Sequence, residues 1–148
     1  MSMFSAFDIN ASGLTAQRYR MDIISENVAN AKTTRTADGT PYRRKVVSFQ
    51  EKDRQTSFSH VLDRAIDNYT GKGVKVSGVY EDTWTEMTMA YDPSHPDADE
   101  NGYVLYPNVN IVSEMTDLID ASRAYEANST AFNASKSIAQ QGLTMAQS

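Results

Sequence analysis

The 148-residue chain is 40% hydrophobic and 22% charged, ordinary values for one folded domain with or without an extension. A net charge of -5 and a pI near 4.9 argue against non-specific binding to nucleic acid or to an anionic membrane surface. The chain has no cysteine, which excludes disulfides, thiolate nucleophiles and Cys-based metal centres. No apolar run approaches bilayer-spanning length, so direct membrane insertion is not expected.

The opening "MSMFSAFDIN" has no basic region followed by an apolar core, so a Sec-type leader is not expected there. Over residues 3–31, Phe7, Leu14, Met21 and Val28 recur every seven positions, with Ile24 and Ala31 in a neighbouring row. This predicts one long helix with a heptad-like stripe, weakened locally by Gly13. The pattern stops at "ANAKTTRTADGTP", where Asn, Thr, Gly and Pro mark an irregular segment.

The middle, residues 36–106, has a different texture. "PYRRKVVSFQ", "GVKVSGVYED" and "TWTEMTMAYD" alternate β-branched and aromatic residues between Gly, Pro and Asp. They predict three short strands in one small antiparallel unit. "SHVLDRAIDNY" reads equally as a short helix or a strand, and "DPSHPDADENG" as a polar loop.

From residue 107 a second heptad row begins: Ile111, Leu118, Tyr125, Phe132, Ala139 and Ala146. Asn108 or Asn110 is the expected cap. At about 1.5 Å per residue the two helices would run roughly 40 and 55 Å. Helices of that length need a partner in water. The expected fold is therefore α+β. Segments 1–35 and 107–148 pair as an antiparallel coiled coil, and 36–106 forms a β-rich insert.

Charge is distributed unevenly. Residues 1–17 hold only Asp8 and residues 127–148 only Lys136. Antiparallel pairing would bring both charge-poor ends together. An end made of Ala, Ser and Asn is poorly dressed for solvent. The expectation is that neighbouring subunits cover it.

At this point the residues resemble a known family. "SGLTAQRYRMDIISENVANAKTTRTADGTPYRRK" is similar to the N-terminal signature of flagellar basal-body rod proteins, with "ENVANAKTT" close to the Asn-rich motif of the axial family. "DPSHPDADENGYVLYPNVNIVSEMTDLIDASRAYEANSTAFNASKSIAQQGL" is similar to the C-terminal region of the proximal rod proteins. The chain departs from the wider pattern in having "AKTTRT" where many relatives have a Thr-Pro-Gly turn. The resemblance implies a structural, non-catalytic subunit of the proximal rod that carries torque across the periplasm, with no cofactor. It implies export through the flagellar type III apparatus without a cleaved leader. The implied neighbours are other copies of the chain and the proximal rod proteins FlgB, FlgF and FliE, with the distal rod protein FlgG as a further candidate. A chain free of disulfides and marginal at its ends suits such export, and assembly then supplies the missing burial.

The residues singled out for packing and assembly are Phe7, Leu14, Met21, Asn27, Asn30, Tyr106, Pro107, Asn108, Tyr125, Asn128, Phe132 and Asn133. Asn27 and Asn30 are expected to hydrogen-bond the turn leaving the first helix. Competing chemistry is weaker. Asp97, Asp99, Asn101 and Gly102 fit positions 1, 3, 5 and 6 of an EF-hand loop, but position 12 is Asn108 and "AYDPSHP" cannot be the entering helix. That motivates the alternative of a calcium-modulated binding module. Ser94, His95 and Asp97 suggest a small hydrolase, although closeness in sequence does not make a triad. "TGKGVKV" lacks the phosphate-loop spacing. In "YRRK", Arg43 and Lys45 would share a strand face and pair with acidic groups of a neighbour or face solvent.

Overall fold

The computed structural model describes residues 3–52 and 71–147. The element order is α1 (Met3–Ala29), β1 (Lys45–Glu51), β2 (Val74–Glu81), β3 (Thr88–Tyr91), β4 (Tyr103–Tyr106) and α2 (Ile111–Gln147). Helix–strand–helix order, and an α+β class, follow as expected. "SHVLDRAIDNY", with His60, lies outside the described residues.

The strands do not form one unit. β1 pairs with β2, and β3 pairs separately with β4. Hydrogen bonds from Lys52 N to Gly73 O (2.8 Å) and from Asp82 N to Arg44 O (2.7 Å) flank the first ladder and make it antiparallel. The second is antiparallel, with Thr88 opposite Tyr106 and Tyr91 opposite Tyr103. Residues 92–102 join β3 to β4 by two side-chain-stabilised turns. Asp92 Oδ1 accepts from Ser94 N and Oγ, and Asp99 Oδ1 accepts from Asn101 N and Tyr103 N. Gly102, at φ +80°, supplies the left-handed step that turns the chain into β4.

Compactness divides the chain into two units. Unit 1 takes the described residues of 1–19, 49–77 and 122–148; unit 2 takes those of 20–48 and 78–121. In unit 1 the Phe7 and Phe132 rings meet edge to face at 5.2 Å. Gly13 lies so close to Asn128 that a β-carbon there would sit 2.8 Å from its Oδ1. Gly13 is thus a point of close approach between helices, where the sequence suggested only a local weakness.

In unit 2 the apolar core is small: Ile24, Ala31, Tyr42, Val104 and Ala121 are buried. The α2 cap is Asn110, whose Oδ1 accepts from Val112 N at 3.0 Å and Ser113 N at 3.3 Å. Asn108, the other candidate cap, is buried and bonds elsewhere. Trp84 is 94% exposed.

Candidate functional site

The most organised feature of unit 2 is a buried polar cluster. Asn27, on the last turns of α1, is 1% exposed. Its Nδ2 donates to Lys45 O at 2.9 Å and to Glu114 Oε2 at 3.0 Å. Its Oδ1 accepts from Tyr42 Oη and Lys45 N, both at 2.9 Å. All four hydrogen-bonding positions of the amide are therefore used. The expected bond to the turn leaving α1 is not made by Asn27, because β1 offers it a backbone donor and acceptor at once. Asn30 does serve that turn: Nδ2 donates to Glu26 O at 3.0 Å, and Oδ1 accepts from Thr33 Oγ1 at 3.1 Å.

Glu114, in the first turn of α2, is fully buried. A buried carboxylate needs a partner, and Arg44 Nε supplies it at 2.5 Å. The same guanidinium lies 3.5 Å from Asp117 and 3.9 Å from Asp82. Arg44 N donates to Asn108 Oδ1 at 2.9 Å, and Asn108 Nδ2 donates to Asp82 O (2.8 Å) and Thr85 O (3.2 Å). Arg20 bonds Asp117 at 3.2 Å, and Lys45 Nζ pairs with Glu26. Lys45 thus finds its acid within the chain. It is Arg44, not Arg43 or Lys45, that organises the basic stretch.

Two titrations reflect this cluster. Burial, then the carboxylates of Glu26, Glu114 and Glu81, push the Tyr42 phenol up to about 12. Hydrogen bonds from Thr85 chiefly, with help from Trp84 N and the charge on Arg44, hold the Asp82 carboxyl below its usual range. Tyr42 ionises less readily folded than unfolded, so its contribution to stability is intact below pH 10 and lost as pH rises toward 12. An ultraviolet titration should therefore show a tyrosine that ionises late and together with unfolding. Tyr42→Phe should remove that late step.

The remaining singled-out residues divide between the units. In unit 1, Phe7, Leu14, Asn128 and Phe132 are half-buried, while Asn133 and Tyr125 are exposed, Tyr125 at the margin. Asn128 Nδ2 donates to Ala124 O at 2.8 Å. In unit 2, Met21 and Asn30 are half-buried and Pro107 is buried. Tyr106 stacks its edge against His95 at 6.4 Å. Sequence reasoning missed Arg44 and Glu114. The available signal was Glu114 falling in register with Ala121 and Asn128, seven residues apart, beside the apolar row.

The competing chemistries find no geometry. Asp97 accepts from Thr34 Oγ1 at 2.8 Å and Arg35 at 3.5 Å, and Asp99 is used by backbone amides, so the EF-hand positions hold a turn. Among the described residues, no group of three or more His, Cys, Asp or Glu side chains is placed to hold a metal ion. Ser94 Oγ donates to Asp92 at 2.6 Å, while His95 Nδ1 accepts from Asp97 N at 3.1 Å. The serine and the imidazole ring nitrogen are thus engaged with different partners, unlike a nucleophile and its base.

Comparison with known proteins decides the family. Residues 7–35 match the family described as "Flagella basal body rod protein", and residues 100–145 match "Flagellar basal body rod FlgEFG protein C-terminal". The chain is 45% identical to the flagellar basal-body rod protein FlgC of Borreliella burgdorferi, covering 99% of both chains. It is 45% identical to the FlgC of Bacillus subtilis over 97% of both, and 41% to that of Salmonella typhimurium over 99% of this chain and all of the other. The chain belongs to the FlgC family of flagellar basal-body rod proteins. Members of the FlgC family are structural parts, not enzymes, and nothing in the family favours calcium binding. The cluster of Asn27, Arg44, Asn108 and Glu114 draws on both matched segments and, through Arg44, on the stretch just before β1. In a FlgC-family chain it is therefore best understood as architecture.

Proposed function

We propose that this chain is a structural subunit of the proximal rod of the flagellar basal body, assembling helically with copies of itself and with related rod proteins to transmit torque across the periplasm. FlgB, FlgF, FliE and FlgG are the candidate neighbours, and the flagellar type III apparatus is the proposed exporter, acting without a cleaved leader. In this reading α1 and α2 pair as an antiparallel coiled coil. Support comes from the contacts inside each unit. Phe7 meets Phe132 while Gly13 meets Asn128, and Arg20 meets Asp117 while Asn27 meets Glu114. Within either unit, later residues of α1 face earlier residues of α2.

The observation that carries the proposal is the state of the last turns of α2. Ile138 and Leu143 are 65% and 63% exposed in a segment whose only charge is Lys136. An uncharged helix end with uncovered aliphatic side chains fits burial against other subunits.

The test is Phe132→Asp. A carboxylate beside Phe7 would cost several kcal/mol if it stayed buried. The expected result is loss of swimming and absence of the variant from isolated basal bodies. The purified full-length variant should still show the late-ionising Tyr42, because that residue belongs to unit 2. Normal swimming with the variant present in basal bodies would overturn the reading.

A further inference from the structure

We propose that Asn101–Gly102 is a site of spontaneous deamidation, reactive in the unfolded chain and held inert by the turn that leads into β4, so that this bond records how long a chain has spent unfolded. The inference goes beyond the rod-subunit reading and does not depend on it. Asn101 is the only asparagine in the sequence that a glycine follows. The following residue matters because its backbone nitrogen is the nucleophile, and glycine alone brings no β-carbon to hinder the approach. Gly102 N gives up its proton to solvent and bonds to Asn101 Cγ. The Cγ–Nδ2 bond breaks, and ammonia leaves with a proton from solvent. Water then opens the cyclic imide at either carbonyl. One product is aspartate; the other, isoaspartate, carries the main chain through Cγ. Water is taken up and ammonia released, with no oxidant or reductant.

In the folded turn Asn101 is exposed, so water reaches the side chain, but the attacking nitrogen is not free. Gly102 is buried, and its N–H donates to Asp99 O at 3.0 Å. Asn101 N is held by Asp99 Oδ1 at 2.9 Å, and Gly102 O accepts from Asp92 N at 2.9 Å. Gly102 also sits tightly at its φ of +80°: a β-carbon there would lie 3.0 Å from the Tyr91 ring and 3.1 Å from Pro93 Cβ. Ring closure requires Gly102 N to leave Asp99 O and the Asn101–Gly102 peptide to rotate, so the turn must first open. The product would matter to the fold. Isoaspartate adds a carbon to the main chain inside a closed loop, where Asp99 N donates to Tyr103 O at 2.9 Å and Tyr103 N to Asp99 Oδ1 at 2.8 Å. Tyr103 is also the residue that pairs with Tyr91 at the end of the β3–β4 ladder. Either product places a new carboxylate next to Glu100 and near Asp99. A chain that reacts before folding therefore closes the β3–β4 ribbon poorly.

The test incubates the full-length chain in mildly alkaline buffer with and without urea. Mass spectrometry follows the peptide that contains Asn101, and an isoaspartyl methyltransferase distinguishes the two products. In urea that peptide should gain the mass difference between an amide and an acid, with isoaspartate among the products. In buffer alone the reaction should be slower by more than about tenfold, because it must wait for local opening. Asp99→Ala removes the carboxylate that holds Asn101 N and Tyr103 N, and should speed the reaction in buffer while Tyr42 still ionises late. Asp99→Asn keeps an acceptor oxygen at the same place and should stay slow. No reaction in urea would overturn the proposal, as would equal rates in buffer and urea. So would an Asp99→Ala chain as slow as the parent, or an Asp99→Asn chain as fast as Asp99→Ala.

Discussion

Arg44→Met should destabilise the full chain by roughly 3–5 kcal/mol, the range for breaking a buried ion pair from one side. The side chain that remains, Glu114, is fully buried, and its Oε1 would lose its 2.5 Å partner. Asp117 and Asp82 would lose a nearby cation as well, though both are partly solvated and should contribute less. The Arg44 backbone bond to Asn108 Oδ1 is untouched by the substitution, so the loss isolates the guanidinium. Adding Glu114→Gln should recover much of the stability. A neutral amide removes the stranded charge while its carbonyl still accepts from Asn27 Nδ2. Urea midpoints for the parent, the single and the double variant measure both effects. A single variant as stable as the parent would show that Glu114 finds water or another cation.

The helices were legible because their apolar residues repeat every seven positions, and the family signature lies on the same residues. The polar cluster was largely hidden for a matching reason. A search for apolar periodicity passes over residues that keep the spacing but are polar or small. Gly13, Arg20 and Asn27 stand seven apart on α1, and Glu114, Ala121 and Asn128 seven apart on α2. Within unit 2, Asn27 meets Glu114 and Arg20 meets Asp117; within unit 1, Gly13 meets Asn128. Glu114 is ordinary in sequence, an acid in a first helical turn, until Arg44 is brought beside it by pairing that local pattern does not encode. The separation of the strands into two pairs was also not readable. The Asx-type turns at Asp92 and Asp99 that make β3–β4 an independent ribbon use the same carboxylates that imitate a calcium loop.

Gly73→Ala should be among the most disruptive single-methyl changes available in unit 1. Gly73 has φ +96°, where an L side chain is strained. Its β-carbon would also fall 2.1 Å from Ser12 Oγ, 3.1 Å from Ser12 Cβ and 3.3 Å from the α1 backbone at Ile9. The flexible atom cannot simply move away. Ser12 Oγ donates to Ile9 O at 2.7 Å and accepts from Val74 N at 3.0 Å, pinning the start of β2 to α1. Backbone strain of about 1–2 kcal/mol adds to the displacement of that hydroxyl and the loss of its two bonds. The expected outcome is a lower melting temperature and faster amide exchange at Val74, while the unit-2 amides bonded to Asn27 and Asn108 stay protected. Ser12→Ala in the parent should cost on the order of 1 kcal/mol, the worth of a lost hydrogen bond. In the Gly73→Ala background the same change should cost nothing or restore stability, because it removes the atom that collides. Such non-additivity is the signature of residues in direct contact. If the two substitutions simply add, the glycine is required for its backbone angle alone, and the close fit of β2 against α1 at Ser12 contributes nothing to stability.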